Sequence, residues 1–273
     1  MRKNKSGWLS VPYIIFMVIF TLIPLGVVAY YALTDPDTGA FTLNNLSNLT
    51  EYLPIFGQSV LYSIVSALIC LLLGYPVAYF IAHRGKVMQK ILYMLVMLPM
   101  CMSFLLRTLA WVGLLQDTGI INNILEAIGI GRLQLIRTPG AVILGMVYNY
   151  LPYMILPLYA ILVKIDDRLI EAAEDLGCNG VQTFVKVVLP LSVPGILSGI
   201  TMVFVPAVST FYISQKLGNT DTTVLIGDLI ERQFKQADNP NLGAALSLVL
   251  MALVFLCTGI MNRFGGDEEG VVV

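Results

Sequence analysis

Residues 171–190 read EAAEDLGCNGVQTFVKVVLP, a polar stretch carrying Glu171, Glu174, Asp175 and Lys186 in a chain that is 57% hydrophobic and only 12% charged. Joined to KIDDRLI before it (164–170), it has the marks of a short helix. Asp166 or Asp167 is a good N-cap, and acids fill the first turns, where the positive end of the helix dipole favours them. Leu169, Ala172, Ala173 and Leu176 recur at helical spacing and make one narrow apolar stripe. Gly177 follows at the position where a left-handed residue ends a helix. A second short helix, near Val181 to Val188, leads to Pro190.

On both sides of this island the chain is apolar. A helix crossing the ~30 Å hydrocarbon core needs roughly 20 apolar residues. Six stretches qualify: Trp8–Leu33, Val60–Ala82, Ile91–Leu115, Ala141–Val163, Leu191–Ile213 and Leu242–Asn262. Five hold no Asp, Glu, Lys or Arg, and the third holds only Arg107. Strands of a membrane barrel would alternate apolar and polar residues, which these do not. The expectation is therefore an all-α, polytopic membrane protein with six transmembrane helices. MRKNK at the start resembles a secretory n-region. The apolar run behind it is longer than a signal-peptide core and lacks a small-residue cleavage site, so it reads as a retained helix.

Charge sets the orientation. With the amino terminus inside, one face collects ten Lys and Arg residues and the other five, which places both termini in the cytoplasm. The 171–190 stretch then lies on the cytoplasmic side. The outer loops carry nine acids against those five bases, a balance that mildly attracts cations. The four cysteines form no C-x-x-C and read as free buried thiols. His83, the only histidine, reads as a solvated residue at a span end, with no cluster about it to bind a metal.

What the chain lacks narrows its function. There is no G-x-x-x-x-G-K-[ST] loop to cradle ATP phosphates, no H-E-x-x-H and no G-x-S-x-G. Ion-coupled carriers usually keep an ionisable relay inside the membrane, and Arg107 has no carboxylate beside it. Transport energy must then enter from another subunit through a cytoplasmic contact. The 171–190 island suits that contact. An interfacial helix would set Trp, Phe or Leu against Lys or Arg, whereas alanines and acids suit a groove on a partner protein.

Glu171-Ala172-Ala173, Gly177, and Val187-x-Leu189-Pro190 nine residues further on resemble the EAA loop of binding-protein-dependent ABC importer permeases. Val187 stands where that pattern has Ile or a similar residue. Similar text continues in LLLGYPVAYFIA (71–82), YNYLPYMILPLYAIL (148–162), VLPLSVPGI (188–196), VPAVSTFYIS (205–214) and NLGAALSLVL (241–250). Together these look like the first permease subunits of spermidine/putrescine importers. Related permeases carry iron, sulfate or phosphonates. The resemblance implies the type I importer (MetI-like) fold, one permease domain over 1–273 with a core of about 60–261 and a coupling loop of about 164–190. It implies that Glu171, Ala172, Ala173, Gly177, Leu189 and Pro190 couple to an ATPase subunit dimer, which holds the ATP and Mg; this chain holds no cofactor. The other implied partners are a second, homologous permease subunit and an extracytoplasmic polyamine-binding protein, at the bacterial inner membrane and without nucleic acid. An ion-coupled secondary carrier is the alternative of a different class.

For the solute path, Pro152 and Pro157 in the fourth span and Pro206 in the fifth each remove a backbone hydrogen bond, which a membrane tolerates beside protein or a wet cavity. Trp111, Tyr148, Asn149, Tyr153, Ser209, Phe211 and Tyr212 lie nearby as candidate path residues. Aromatic faces hold an ammonium at roughly 0.5–2 kcal/mol each, without the trap of a buried carboxylate. The competing reading of each is helix packing or interface anchoring. Arg107 either snorkels outward to a loop carbonyl or acid, or gates the outer mouth. Gly195-x-x-x-Gly199 reads as a close helix contact. Outside, Ile121, Ile124, Leu125 and Ile128 share one helical face, as do Ile226, Ile230 and Phe234, predicting two short capping helices. The tail GGDEEGVVV reads as solvated and mobile.

Overall fold

The apolar runs fold as helices because a backbone in hydrocarbon must satisfy its own hydrogen bonds. In a computed structural model, residues 11–35, 39–43, 45, 48–218, 222–235 and 239–265 are described, and among these no strand longer than a single bridge occurs. The expectations about the extreme termini, including Trp8 and the tail after Gly265, lie outside the described residues. The chain divides into two compact units, Met1–Pro54 with Leu229–Leu253, and Ile55–Asp228 with Val254–Val273.

In the first unit, α1 (Val11–Ala32) is apolar on every side and buries only Ala32 within the chain. It passes through a π turn at Val18–Leu22, next to Pro24, whose missing N–H removes a rung of the helical ladder. Beyond it, Asn45 and Asn241 both donate to the Thr34 carbonyl, at 2.9 and 2.6 Å, tying the chain that leaves the helix.

The second unit contains most of α2 (Leu53–Ala82), then α3 (Lys86–Met97), α4 (Phe104–Leu115), α5 (Ile120–Ala127), α6 (Pro139–Leu162), α7 (Asp167–Asp175), α8 (Gly180–Leu191) and α9 (Val193–Val208). Two helices, α10 (Ile226–Lys235) and α11 (Pro240–Gly265), begin in one unit and end in the other. Among the described residues, five stretches are long and apolar enough to cross a membrane, and α8 with α9 makes a sixth as a bent pair.

Helix α6 is the centre of this unit. It packs on α9 through two glycines spaced as the sequence suggests. A Cβ on Gly199 would stand 2.6 Å from the Met154 sulfur, and one on Gly195 would stand 3.0 Å from Ile161 Cγ1. On another side of α6, Gly145 admits Ile213 and Leu217 of the segment after α9. Small residues let backbones approach, so dispersion takes the place of the hydrophobic effect between helices in lipid.

Four expectations change. The third span is not one helix: α3 ends in a 3₁₀ turn at Leu98–Cys101, and Met102 and Ser103 are extended before α4 begins. Pro99 lacks the donor that would continue the ladder, and the unbroken run of apolar residues conceals this. The fifth span bends by 63° at Ser192 and ends at Val208 rather than Ile213. In α5 the buried residue is Asn122, whereas Ile124 and Ile128 are exposed. Asn122 Nδ2 donates to the Gln116 and Leu133 carbonyls and its Oδ1 accepts from Leu133 N, so the polar residue turns inward to satisfy the loop. Cys70 is buried as expected, but Cys101 is exposed at the break between α3 and α4.

Candidate functional site

The EAA segment forms the helix its residues call for. Asp166 caps α7 by accepting from Arg168 N at 3.0 Å. Gly177 has φ +87, a left-handed value that costs a residue with a Cβ about 1–2 kcal/mol. Its N–H donates to Glu174 O, and Cys178 N donates to Ala173 O, the paired bonds that close a helix end of this type. The chain restarts at once: Asn179 and Gln182 exchange side-chain and backbone hydrogen bonds in a capping box at the start of α8.

The stripe divides in two. Leu169, Ala172 and Leu176 are exposed, Leu176 at 87%, while Ala173 is buried against the chain itself. Glu171 is exposed beside them. Leu176 is thus left uncovered on a helix capped at both ends.

The sequence reading missed what holds this segment to the bundle. Phe184 of α8 stands edge-on to both Tyr75 and Tyr79 of α2, each ring centre 5.5 Å away. The Tyr75 hydroxyl shares a 2.8 Å hydrogen bond with Ser192 Oγ, at the bend into α9. Leu189 and Pro190 form the last turn before that bend, and Ser192 Oγ donates to Leu189 O. Aromatic contacts and one hydroxyl pair thus join α8 to α2 and to the bend before α9. The only sequence signal was an aromatic residue in an otherwise aliphatic FVKVV run.

The path candidates gather where α4, α6 and residues 209–218 meet. Trp111 and Tyr148 stack edge-to-face with centres 5.4 Å apart, and Phe104 and Tyr212 lie 6.3 Å apart. Tyr148, Tyr153 and Phe211 are exposed, and Trp111 and Tyr212 are half-buried. Ser209 Oγ donates within its own helix, to Val205 O. Pro152 and Pro157 lack the donors that the carbonyls of Tyr148 and Tyr153 would otherwise receive, so two exposed tyrosines also carry the carbonyls those prolines release. Tyr150, which sequence reasoning passed over, donates to Pro206 O at 3.3 Å and links α6 to the end of α9.

Arg107 is buried, at 6% exposure, and does not snorkel. Its Nε and Nη1 have no hydrogen-bond partner, and it lies within electrostatic reach of Tyr150. Asn149, at 1% exposure, donates from Nδ2 to Gly145 O while its Oδ1 accepts nothing. The remaining unpaired buried side-chain atom among the described residues is Thr183 Oγ1 in the docking segment. His83 is exposed and bonds the Tyr79 carbonyl, as a solvated span end should.

Apolar spans with a capped, exposed helix between two of them are the framework of a polytopic membrane protein. Residues 71–265 match the family described as the binding-protein-dependent transport system inner membrane component, and the chain belongs to this family of ABC importer permeases. It is 37% identical to the spermidine/putrescine transport system permease protein PotB of Haemophilus influenzae, covering 96% of this chain and 94% of that one. Against PotB of Escherichia coli K12 the identity is 35%, covering 88% and 90%. The inner membrane ABC transporter permease protein YdcU of the same organism is 30% identical, covering 96% and 87%. The fold is shared with a bacterial ABC transporter that imports alginate, at a TM-score of 0.81 and 19% identity over 96% of both chains. A structure of an alginate transporter with its alginate-bound periplasmic protein gives a TM-score of 0.76 at 19% identity, covering 96% and 97%.

Proposed function

We propose that the chain, acting as one permease domain over 1–273, forms half of the translocation path of an ATP-driven importer for spermidine or putrescine. The observation that carries the coupling half of this reading is the exposed Leu169–Ala172–Leu176 stripe on a helix capped at both ends and wired to α2 and α9. It is the docking surface for one subunit of an ATPase pair, on the cytoplasmic side with both termini. A second permease completes the path, and an extracytoplasmic binding protein delivers the solute. The names of the relatives support the polyamine cargo, and the site chemistry agrees with it. Exposed aromatic faces and proline-released carbonyls hold ammonium groups loosely enough to let them go.

An importer of an anionic solute is a second reading, favoured by one observation: Arg107 buried beside the aromatics, with unpaired N–H groups. Uptake of labelled spermidine into vesicles carrying the complete transporter separates the two. The expected result is ATP-driven accumulation, competed by putrescine and indifferent to sulfate and phosphonate. Uptake of sulfate or a phosphonate without spermidine uptake would replace the first reading by the second.

A further inference from the structure

Among the described residues only four buried side-chain atoms lack a hydrogen-bond partner, and three of them belong to Arg107 and Asn149. The two residues have opposite needs. Arg107 Nε and Nη1 are donors without acceptors, and Asn149 Oδ1 is an acceptor without a donor. They stand on neighbouring helices that already touch. Tyr148 beside Asn149 packs on Trp111 of α4, and Tyr150 on its other side lies within electrostatic reach of Arg107. Both face elements of residues 209–218: Phe104, one turn before Arg107, meets Tyr212, and Gly145, one turn before Asn149, meets Ile213 and Leu217.

A polar group left unpaired in a buried place costs roughly 1–3 kcal/mol, and a charged one more. The three atoms are sealed from solvent in this conformation. A transporter, however, has more than one conformation, and a small slide of packed helices is a common way to change between them.

We infer that Arg107 and Asn149 form a state-dependent pair, in which Arg107 donates to Asn149 Oδ1 in the other conformation of the transport cycle. The unpaired atoms destabilise the present conformation, and the bond formed on sliding α4 past α6 stabilises the other. Arg107 is thus a positioning residue for the path and has no need to touch the cargo. The inference rests on the importer reading only in requiring that the path changes state.

The test uses the complete transporter in vesicles, with cysteines at both positions (Arg107→Cys with Asn149→Cys) and a short thiol crosslinker. Crosslinking in the resting state is compared with crosslinking after trapping by ATP and vanadate. The expected result is crosslinking in one of the two states and several-fold less in the other; equal crosslinking in both, or none in either, overturns the inference. Isosteric variants give the second measurement. Arg107→Met and Asn149→Leu are each expected to slow uptake about tenfold or more, the worth of a hydrogen bond to a charged group. The double variant is expected to be no slower than either, while the resting thermal midpoint stays unchanged or rises. Multiplying losses, or a midpoint lowered by Arg107→Met, would make both residues structural and sink the pair. Spermidine uptake by the unmutated transporter in the same vesicles tests the importer reading separately.

Discussion

The proposed docking segment and the proposed solute path treat polar groups in opposite ways. In residues 166–182 the helix ends are answered: Asp166 caps α7, the Gly177 turn closes it, and Asn179 with Gln182 opens α8. What remains exposed is the apolar stripe of Leu169, Ala172 and Leu176, flanked by charged side chains such as Glu171 and Glu174. Among the path candidates, Arg107 and Asn149 are buried with atoms unanswered, and the exposed groups are aromatic apart from Ser209. A surface proposed to carry force must keep one shape, and the helix ends beside the stripe are satisfied locally, with Thr183 Oγ1 of α8 the unpaired buried atom beyond them. A path that changes state cannot satisfy every group in each of them.

The largest effect that would break this comparison belongs on the exposed stripe. Leu176→Asp puts a charge at a solvent-facing position, where stability changes by only about 0.5 kcal/mol. Desolvating that charge against the ATPase costs several kcal/mol, so ATP-driven uptake should fall by about a hundredfold or more at normal membrane level. Transport measured beside an immunoblot checks this; retained uptake would move the docking surface elsewhere.

Next comes Gly199→Val, which drives side-chain atoms into Met154 in the seam between α6 and α9. Overpacking of this kind costs about 1–3 kcal/mol. Here, unlike on the stripe, the loss should appear as a lower thermal midpoint of the detergent-purified transporter.

Gly177→Ala is smaller. Its φ of +87 imposes about 1–2 kcal/mol on any Cβ, while nothing within 4 Å obstructs the added methyl. Uptake is expected to drop several-fold with ATP hydrolysis largely kept, an uncoupling read as ATP consumed per spermidine moved. An unchanged ratio would mean the turn between α7 and α8 carries little force.

The smallest effect is expected from Trp111→Ala in the path. One aromatic face is worth about 0.5–2 kcal/mol to a cation, so apparent KM for spermidine should rise no more than about tenfold, with the maximal rate little altered. A collapse of the rate instead would show that Trp111 holds α4 to α6 through Tyr148 and does not line the path.

Much of the docking segment was legible in sequence, because caps, stripe and terminator are local chemistry: Asp166, Leu176 and Gly177 each act within a turn of themselves. The inward turn of Ala173 was not legible, since it depends on which side the bundle lies. The spans were legible as apolar runs, but the break at Pro99 and the bend at Ser192 were hidden inside them. A membrane helix tolerates a proline where neighbours satisfy the freed groups, and the Tyr75 hydroxyl paired with Ser192 lies far from it in sequence. Arg107 could be located on a span but not oriented. Its burial follows from the contacts of Phe104 with Tyr212 and Trp111 with Tyr148, which no spacing rule supplies.

The central claim is that energy enters this chain from outside through α7. It is tested most directly by reconstituting the two permeases and the binding protein in vesicles, with and without the ATPase pair, and measuring spermidine accumulation against a gradient. The expected result is accumulation only when the ATPase pair and ATP are both present. Accumulation without the ATPase, driven by a proton or sodium gradient, would contradict the account and make the chain a secondary carrier.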